Sequence, residues 1–217
     1  MKTLDVSEYL DLESRSLHAS APRERILKTA SELFYRNSIH TVGIDRIIAE
    51  SGVAKMTFYK HFPSKANLAA TYLRHKSALW FDMLATATEQ AGPVPLDRVL
   101  AIFDTLNASF QEPTFRGCPF VRGLAEFGPD AETPEVQATL AAYFHNLHEF
   151  VVSLIQPLKL KNQESVVVQI LALIQGSLVN AQAMRGGVEP LATRDAAKML
   201  LKAAVEPADR NFDVCSA

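Results

Sequence analysis

Apolar residues along this chain recur at helical spacing from residue 22 onward. Pro22 opens a segment in which Ile26, Leu27, Ala30, Leu33 and Phe34 fall at i, i+1, i+4, i+7 and i+8, a single stripe down one helix. Proline suits that first position, since the N–H it lacks is one that the first helical turn leaves unbonded anyway. A second helix, Ile44 to Ser51, is short and stops at Gly52. A third, Ala54 to His61, stops before Phe62-Pro63, where the proline ring disfavours helix in the residue ahead of it. Ser64 then caps a long fourth helix running through Leu68, Tyr72, Leu79 and Leu84. Beyond Ala91-Gly92-Pro93-Val94-Pro95 the pattern predicts helices over about 96–111, 119–127, 134–156, 162–184 and 190–205, bounded by Pro113, Pro129, Pro134, Pro157 and Gly186-Gly187. The β-prone run Val166-Val167-Val168 continues to Ala183 without a breaker, a length that suits a buried helix rather than a strand. Residues 1–20 show no sustained period and read as a flexible tail with at most a short helix.

Ser165 to Met184 has no charged residue over a bilayer-spanning length, so a membrane helix has to be weighed. Gln169, Gln175, Ser177, Asn180 and Gln182 recur through it and argue against one, being costly in hydrocarbon but easily placed at the edge of a protein contact. A helix this apolar must be covered by protein, in its own core or in a partner subunit. Gly176 would let another backbone come close, at about 1 kcal/mol in helix propensity against Ala. With 217 residues, 48% apolar and 21% charged, the chain can bury one sizeable core, which excludes a wholly disordered or collagen-like polypeptide. Cys118 and Cys215 are too few for a disulfide scaffold, and Asp5, Glu8, Asp11 and Glu13 stand where a secretion signal needs an apolar run. A reducing cytoplasm is expected.

The net charge of −2 hides a sharp division. Residues 21–76 hold ten Lys or Arg against four acids, a surplus of six, so the remainder carries −8. A cationic module of that kind suits a polyanion such as nucleic acid. It contains Ile44 to Phe62, which has the form of a helix-turn-helix pivoting on Gly52, with Ile47, Ile48, Val53, Phe58 and Phe62 as the core beneath. The outer face is then Lys55, Met56, Thr57, Tyr59, Lys60 and His61. A helix presented to the major groove needs donors and compact apolar groups for base edges, flanked by cations and hydroxyls for phosphates. Lys55 and Thr57, with Ala54 or Met56, are the candidates for bases; Tyr59, Lys60 and His61 are candidates for the backbone. Ser64 and Lys65 open the fourth helix, whose first amides can hold a phosphate while Lys65 adds charge. The blander alternative is that Tyr59 and His61 only cover a small domain; the surplus of charge weighs against it.

These residues resemble the TetR family of bacterial transcription regulators. The resemblance is strong from about 24 to 70, through Ala30-Ser31-Glu32-Leu33-Phe34, Ile44-Asp45-Arg46-Ile47, Gly52-Val53-Ala54-Lys55, Thr57-Phe58-Tyr59-Lys60-His61-Phe62 and Pro63-Ser64-Lys65. Arg116-Gly117-Cys118-Pro119-Phe120 with Glu126-Phe127 looks like a segment of one subset of that family. The resemblance implies an all-α fold: a three-helix head with a helix-turn-helix (21–67), joined through the long fourth helix to a helical ligand-binding and dimerisation body (68–207), between tails at 1–20 and 208–217. It also implies a homodimer paired through its last two long helices, and release from a double-stranded, near-palindromic operator on binding a small molecule. Gly43 stands where Ser or Thr often caps the second helix, Ile48 where a small residue is common, and Ala54 where Ser is frequent. The first is a modest loss of capping, since Gly is itself tolerated there, the second opens the packing slightly, and the third removes one possible hydroxyl contact to phosphate.

Enzyme readings need a constellation, and GxGxxG, GxxxxGK, GxSxG, CxxC and SxxK are all missing. No Glu precedes a His by three positions, as a di-iron bundle requires, and His145 with His148 lacks a third ligand, so neither a metal nor a cofactor is expected. Cys118 reads as a buried structural thiol rather than a sensing one, because only Arg116 and Arg122 lie near in sequence to lower its pKa. Trp80, Phe81, Phe103, Phe120, Phe127, Tyr143, Phe144 and His148 are of the kind that line ligand cavities and are the candidates for an effector site. A helical enzyme with an unrecognised site, and an architectural dimer without an operator, are the rival functions.

Overall fold

A computed structural model describes residues 21–128, 133–184 and 191–204, and every regular element among them is helical. In chain order they are α1 (Pro22–Asn37), α2 (Ile44–Ser51), α3 (Lys55–His61), α4 (Lys65–Gln90), α5 (Pro95–Gln111), α6 (Pro119–Glu126), α7 (Pro134–Ile155), α8 (Gln163–Ala183) and α9 (Ala192–Ala204), with a 3₁₀ turn, Gln156–Leu158, after α7. Four of them begin at proline, the position where its missing N–H costs nothing. The ends expected from sequence differ by a residue or two, as helix ends do: Ala54 caps α3 instead of starting it, and Gln156 belongs to the 3₁₀ turn. The two expected tails, Cys215 and the limits at Pro129 and Gly186-Gly187 lie outside the described residues.

The α1 stripe makes the head's core. Ile26, Ala30, Leu33 and Phe34 are buried there with Ile47 of α2, Phe58 of α3 and Phe62 just beyond it. Ile48 and Val53, expected inside, are only half-buried at its edge, because α2 and α3 turn that side toward solvent. Gly52 ends α2 in the left-handed region, φ 64°, with its N–H donating to the Ala49 carbonyl at 3.4 Å. That conformation costs a Cβ-bearing residue energy and turns the chain sharply into α3.

Helix α4 joins head to body. Ser64 Oγ accepts the Asn67 N–H at 3.0 Å and starts it. Its first turns serve the head, Tyr72 meeting Phe34 edge-on with ring centroids 5.5 Å apart. Farther along, Leu73 and Leu84 are buried as α5 and α7 pack on either side of it. Helix α8 lies on α7, α9 closes over α5 and α8, and α6 runs across α7 near α4. One side of α8 is buried through Val166, Val167, Ile170, Ile174, Ser177 and Ala181. Its other side is open: Val168 is 61% and Val179 49% exposed, and Ala172, Gly176 and Ala183 lie along the same uncovered side. By length and composition it is the one helix among the described residues that could cross a membrane, and 33% of its most apolar stretch is buried in this subunit.

Candidate functional site

Burial of Phe58 fixes which way α3 faces. With that ring wholly inside, the residues around it are forced outward: Ala54, Lys55, Met56, Tyr59 and Lys60 are exposed, Thr57 and His61 half-exposed. Met56 at 82% exposure is a large apolar side chain left in water. Lys55 Nζ stands 3.8 Å from Asp45 Oδ1 at the start of α2, a pair too exposed to hold it firmly. Lys60 has no ion pair among the described residues. All the residues singled out on α3 therefore share one solvent-facing surface, with Ser64 exposed beyond it.

Lys65 is placed differently. Its Nζ donates to the His40 carbonyl oxygen at 3.0 Å, and partial burial lowers its pKa from the ordinary value, opposed by the carboxylate of Glu126. His40 belongs to the loop between α1 and α2 and is gripped by the end of α6: its ring stacks on Phe127 at 4.7 Å, and its Nε2 donates to the Glu126 carbonyl at 2.6 Å. Lys65 thus faces the joint between head and body. Nearby, Arg122 Nη1 donates to the Tyr35 carbonyl at 2.7 Å, placing a cation on the last turn of α1, where the helix dipole favours it. Asn67 Nδ2 donates to Glu135 Oε2 at 3.3 Å and ties α4 to the start of α7.

Above this joint the body encloses a partly open cavity of about 170 Å³. Helix α4 lines it with Lys76, Leu79, Trp80 and Met83; α5 and the following loop add Leu106, Ser109, Glu112 and Phe115. Gly117, Cys118 and Phe120 form another wall, facing Tyr143 of α7, Leu178 of α8 and Tyr35 of α1. Phe120 and Tyr143 stack almost parallel with centroids 3.4 Å apart. Gly117 has φ +88°, a conformation that favours glycine, and a Cβ there would push aside the flexible Gln182 side chain of α8. Burial pushes the Cys118 thiol up, opposed by the N–H groups of Val121 and Phe120 and by the Tyr143 hydroxyl. It therefore stands as a neutral buried thiol, the less reactive state. Burial likewise holds Tyr143 well above the ordinary phenol value.

Of the residues expected around an effector, Trp80, Phe120 and Tyr143 line this cavity. Phe81, Phe103, Phe127, Phe144 and His148 do not. Phe103 is buried in the core, Phe81 packs on Phe150 at the core's half-buried edge, and Phe144 lies edge-on to Tyr143 from outside. Phe127 is spent on His40, and His148 sits half-exposed beside Glu149 at 3.0 Å. Tyr35, Lys76, Met83, Phe115 and Leu178 were missed. Tyr35 lies beside the α1 stripe, and no local pattern foretells that an inter-helix loop some eighty positions later will fold against it.

Residues 26–71, which span α1 to the first turns of α4, match the family model described as bacterial regulatory proteins, tetR family. A TetR-family transcriptional regulator from Streptomyces coelicolor is 27% identical and superposes with a TM-score of 0.72 over 85% of this chain and 94% of its own. An uncharacterized HTH-type transcriptional regulator in the lacX 3′ region of Lactococcus lactis is 24% identical, covering 72% of this chain and 81% of its own. The HTH-type regulator YxaF of Bacillus subtilis is 45% identical over 42 residues, 19% of this chain and 22% of its own. The head sequence on α1–α4 thus matches the DNA-binding segment of tetR-family bacterial regulatory proteins, and the helical body is shared along most of the chain with a TetR-family transcriptional regulator.

Proposed function

We propose that this regulator is a repressor, a symmetric homodimer that occupies a near-palindromic operator and leaves it when a small molecule enters the body. The observation that carries the reading is the outward face of α3, where Lys55, Met56, Thr57, Tyr59 and Lys60 are all presented to solvent over a buried Phe58. Lys55 and Thr57, with Ala54 or Met56, read base edges; Tyr59, Lys60 and His61 hold phosphates, with Ser64 and the start of α4 beside them. Residues 21–67 are the DNA-binding unit and 68–207 the sensing and pairing unit.

The partner copy lies against the open side of α8. That side is uncharged through Val168, Ala172, Gly176 and Val179, and a Cβ built at Gly176 meets nothing within 4 Å in the subunit. Two reading heads fixed at one separation then enter successive major grooves on one side of the duplex. A ligand in the cavity acts by binding a different separation more tightly. The protein works in the cytoplasm, with the chromosome.

Selection of bound duplexes from a random pool tests this. Enrichment of a two-fold symmetric site is expected. Tight binding without sequence preference would replace the operator reading with an architectural one, and no binding even in dilute buffer would remove DNA from the account.

A further inference from the structure

The cavity is not walled by the body alone. Tyr35 sits in the last turn of α1, inside the head, and its hydroxyl accepts the Arg116 N–H at 2.9 Å. Burial raises its pKa, so it keeps its proton, and that proton has no acceptor among the described residues. The other hydroxyls deep in the cavity are spent: Ser109 Oγ donates to the Thr105 carbonyl at 2.9 Å, and the Tyr143 hydroxyl is turned to Cys118. Trp80 lines the cavity from the body side. Two charged side chains, Lys76 and Glu112, line the cavity with opposite sign, so a ligand of either charge meets one ally and one opponent. Apart from Thr114, which is exposed, the remaining wall is mostly aromatic or aliphatic, and an unpaired charge placed there would be costly. The volume holds on the order of a dozen non-hydrogen atoms.

Resting on the ligand-responsive reading above, we propose that the cavity takes a neutral aromatic molecule carrying a hydrogen-bond acceptor such as a ketone oxygen, and that Tyr35 donates its hydroxyl proton to that acceptor. The ligand then bridges the body to α1 itself. Tyr35 already holds the body twice, through Arg116 to its hydroxyl and Arg122 to its carbonyl. A third bond from the ligand fixes the tilt of the head, so Tyr35 is the positioning residue that converts occupancy into head orientation.

The probes are 1-indanone, which has the acceptor, and indane, which lacks it. Trp80 is the chain's one tryptophan and lines the cavity, so its fluorescence reports occupancy, with titration calorimetry as the second readout. In the full chain 1-indanone binds more tightly than indane. Tyr35→Phe keeps the ring and weakens 1-indanone about 2- to 12-fold, the range of one neutral hydrogen bond, while leaving indane unchanged. Amide exchange over residues 35–42 slows with 1-indanone in the parent chain and not in Tyr35→Phe. Equal affinity of the two probes, an equal loss of both in Tyr35→Phe, unchanged 1-indanone affinity, or no binding at millimolar concentration would each overturn the proposal. None of these measurements uses DNA. A failed operator selection therefore counts against the repressor reading alone, and a failed Tyr35→Phe contrast counts against the proposed ligand bond alone.

Discussion

Helices α3 and α8 each bury one side and leave the other in water, yet the two open sides could hardly differ more. That of α3 is short, cationic and hydroxyl-bearing, with Lys55, Thr57, Tyr59 and Lys60; that of α8 is long and nearly free of charge, with Val168, Ala172, Gly176 and Val179. Charged and hydroxyl groups lose little by meeting a hydrated phosphate chain. Small apolar ones gain only by excluding water against a matching surface. The contrast underlies the proposal of a nucleic acid at one helix and a second copy at the other, and it can be broken from either end.

The largest effect is expected in the platform beneath α3. Phe58→Ala removes a wholly buried ring and should cost about 3 to 5 kcal/mol of head stability. Operator binding should vanish while sedimentation still shows a dimer; loss of both together would mean that head and body fold as one. At the other end, Gly176→Glu sets like charges face to face across the proposed two-fold seam, a clash of several kcal/mol. Dimer dissociation should become at least about 100-fold easier. An unaltered sedimentation profile would move the partner off α8.

How much of this the residues announce depends on the range of the interactions. The α1 stripe, the Gly52 pivot and the Ser64 cap depend on neighbours a few positions apart, and α1 to α4 follow the expected pattern within a residue or two. The cavity depends on distant segments meeting. Aromatic spacing picked out Trp80, Phe120 and Tyr143 but equally Phe81, Phe103 and Phe144, because a ring in a core and a ring on a cavity wall obey the same helical period. Lys65 shows the same limit. Its place at the start of α4 suggests a phosphate, while the His40 loop, brought close by the folding of the head, supplies the acceptor it meets.

Smaller perturbations sharpen the α3 side. Thr57→Ala should cost about 1 to 3 kcal/mol on the preferred site and relax selectivity at particular base pairs. Equal losses on operator and random DNA would take Thr57 out of the base-reading group. Lys60→Ala should weaken all sequences alike and lower the log–log salt slope by about 0.9. Lys65→Ala should move that slope less, since its ammonium is already occupied by His40; an equal change would show that it leaves the loop for DNA.

Leu178 lines the cavity, and Gln182 presses on Gly117 in its wall, yet both belong to α8. On the proposed reading, one rod of backbone has a guest pocket on its inner flank and the neighbouring copy on its outer flank. On that reading, a guest that shifts the rod would strain the joint shared by both copies, and filling one pocket would be felt at the other. Saturation curves for the paired protein should accordingly depart from a simple hyperbola, and a version held apart as single copies should restore it.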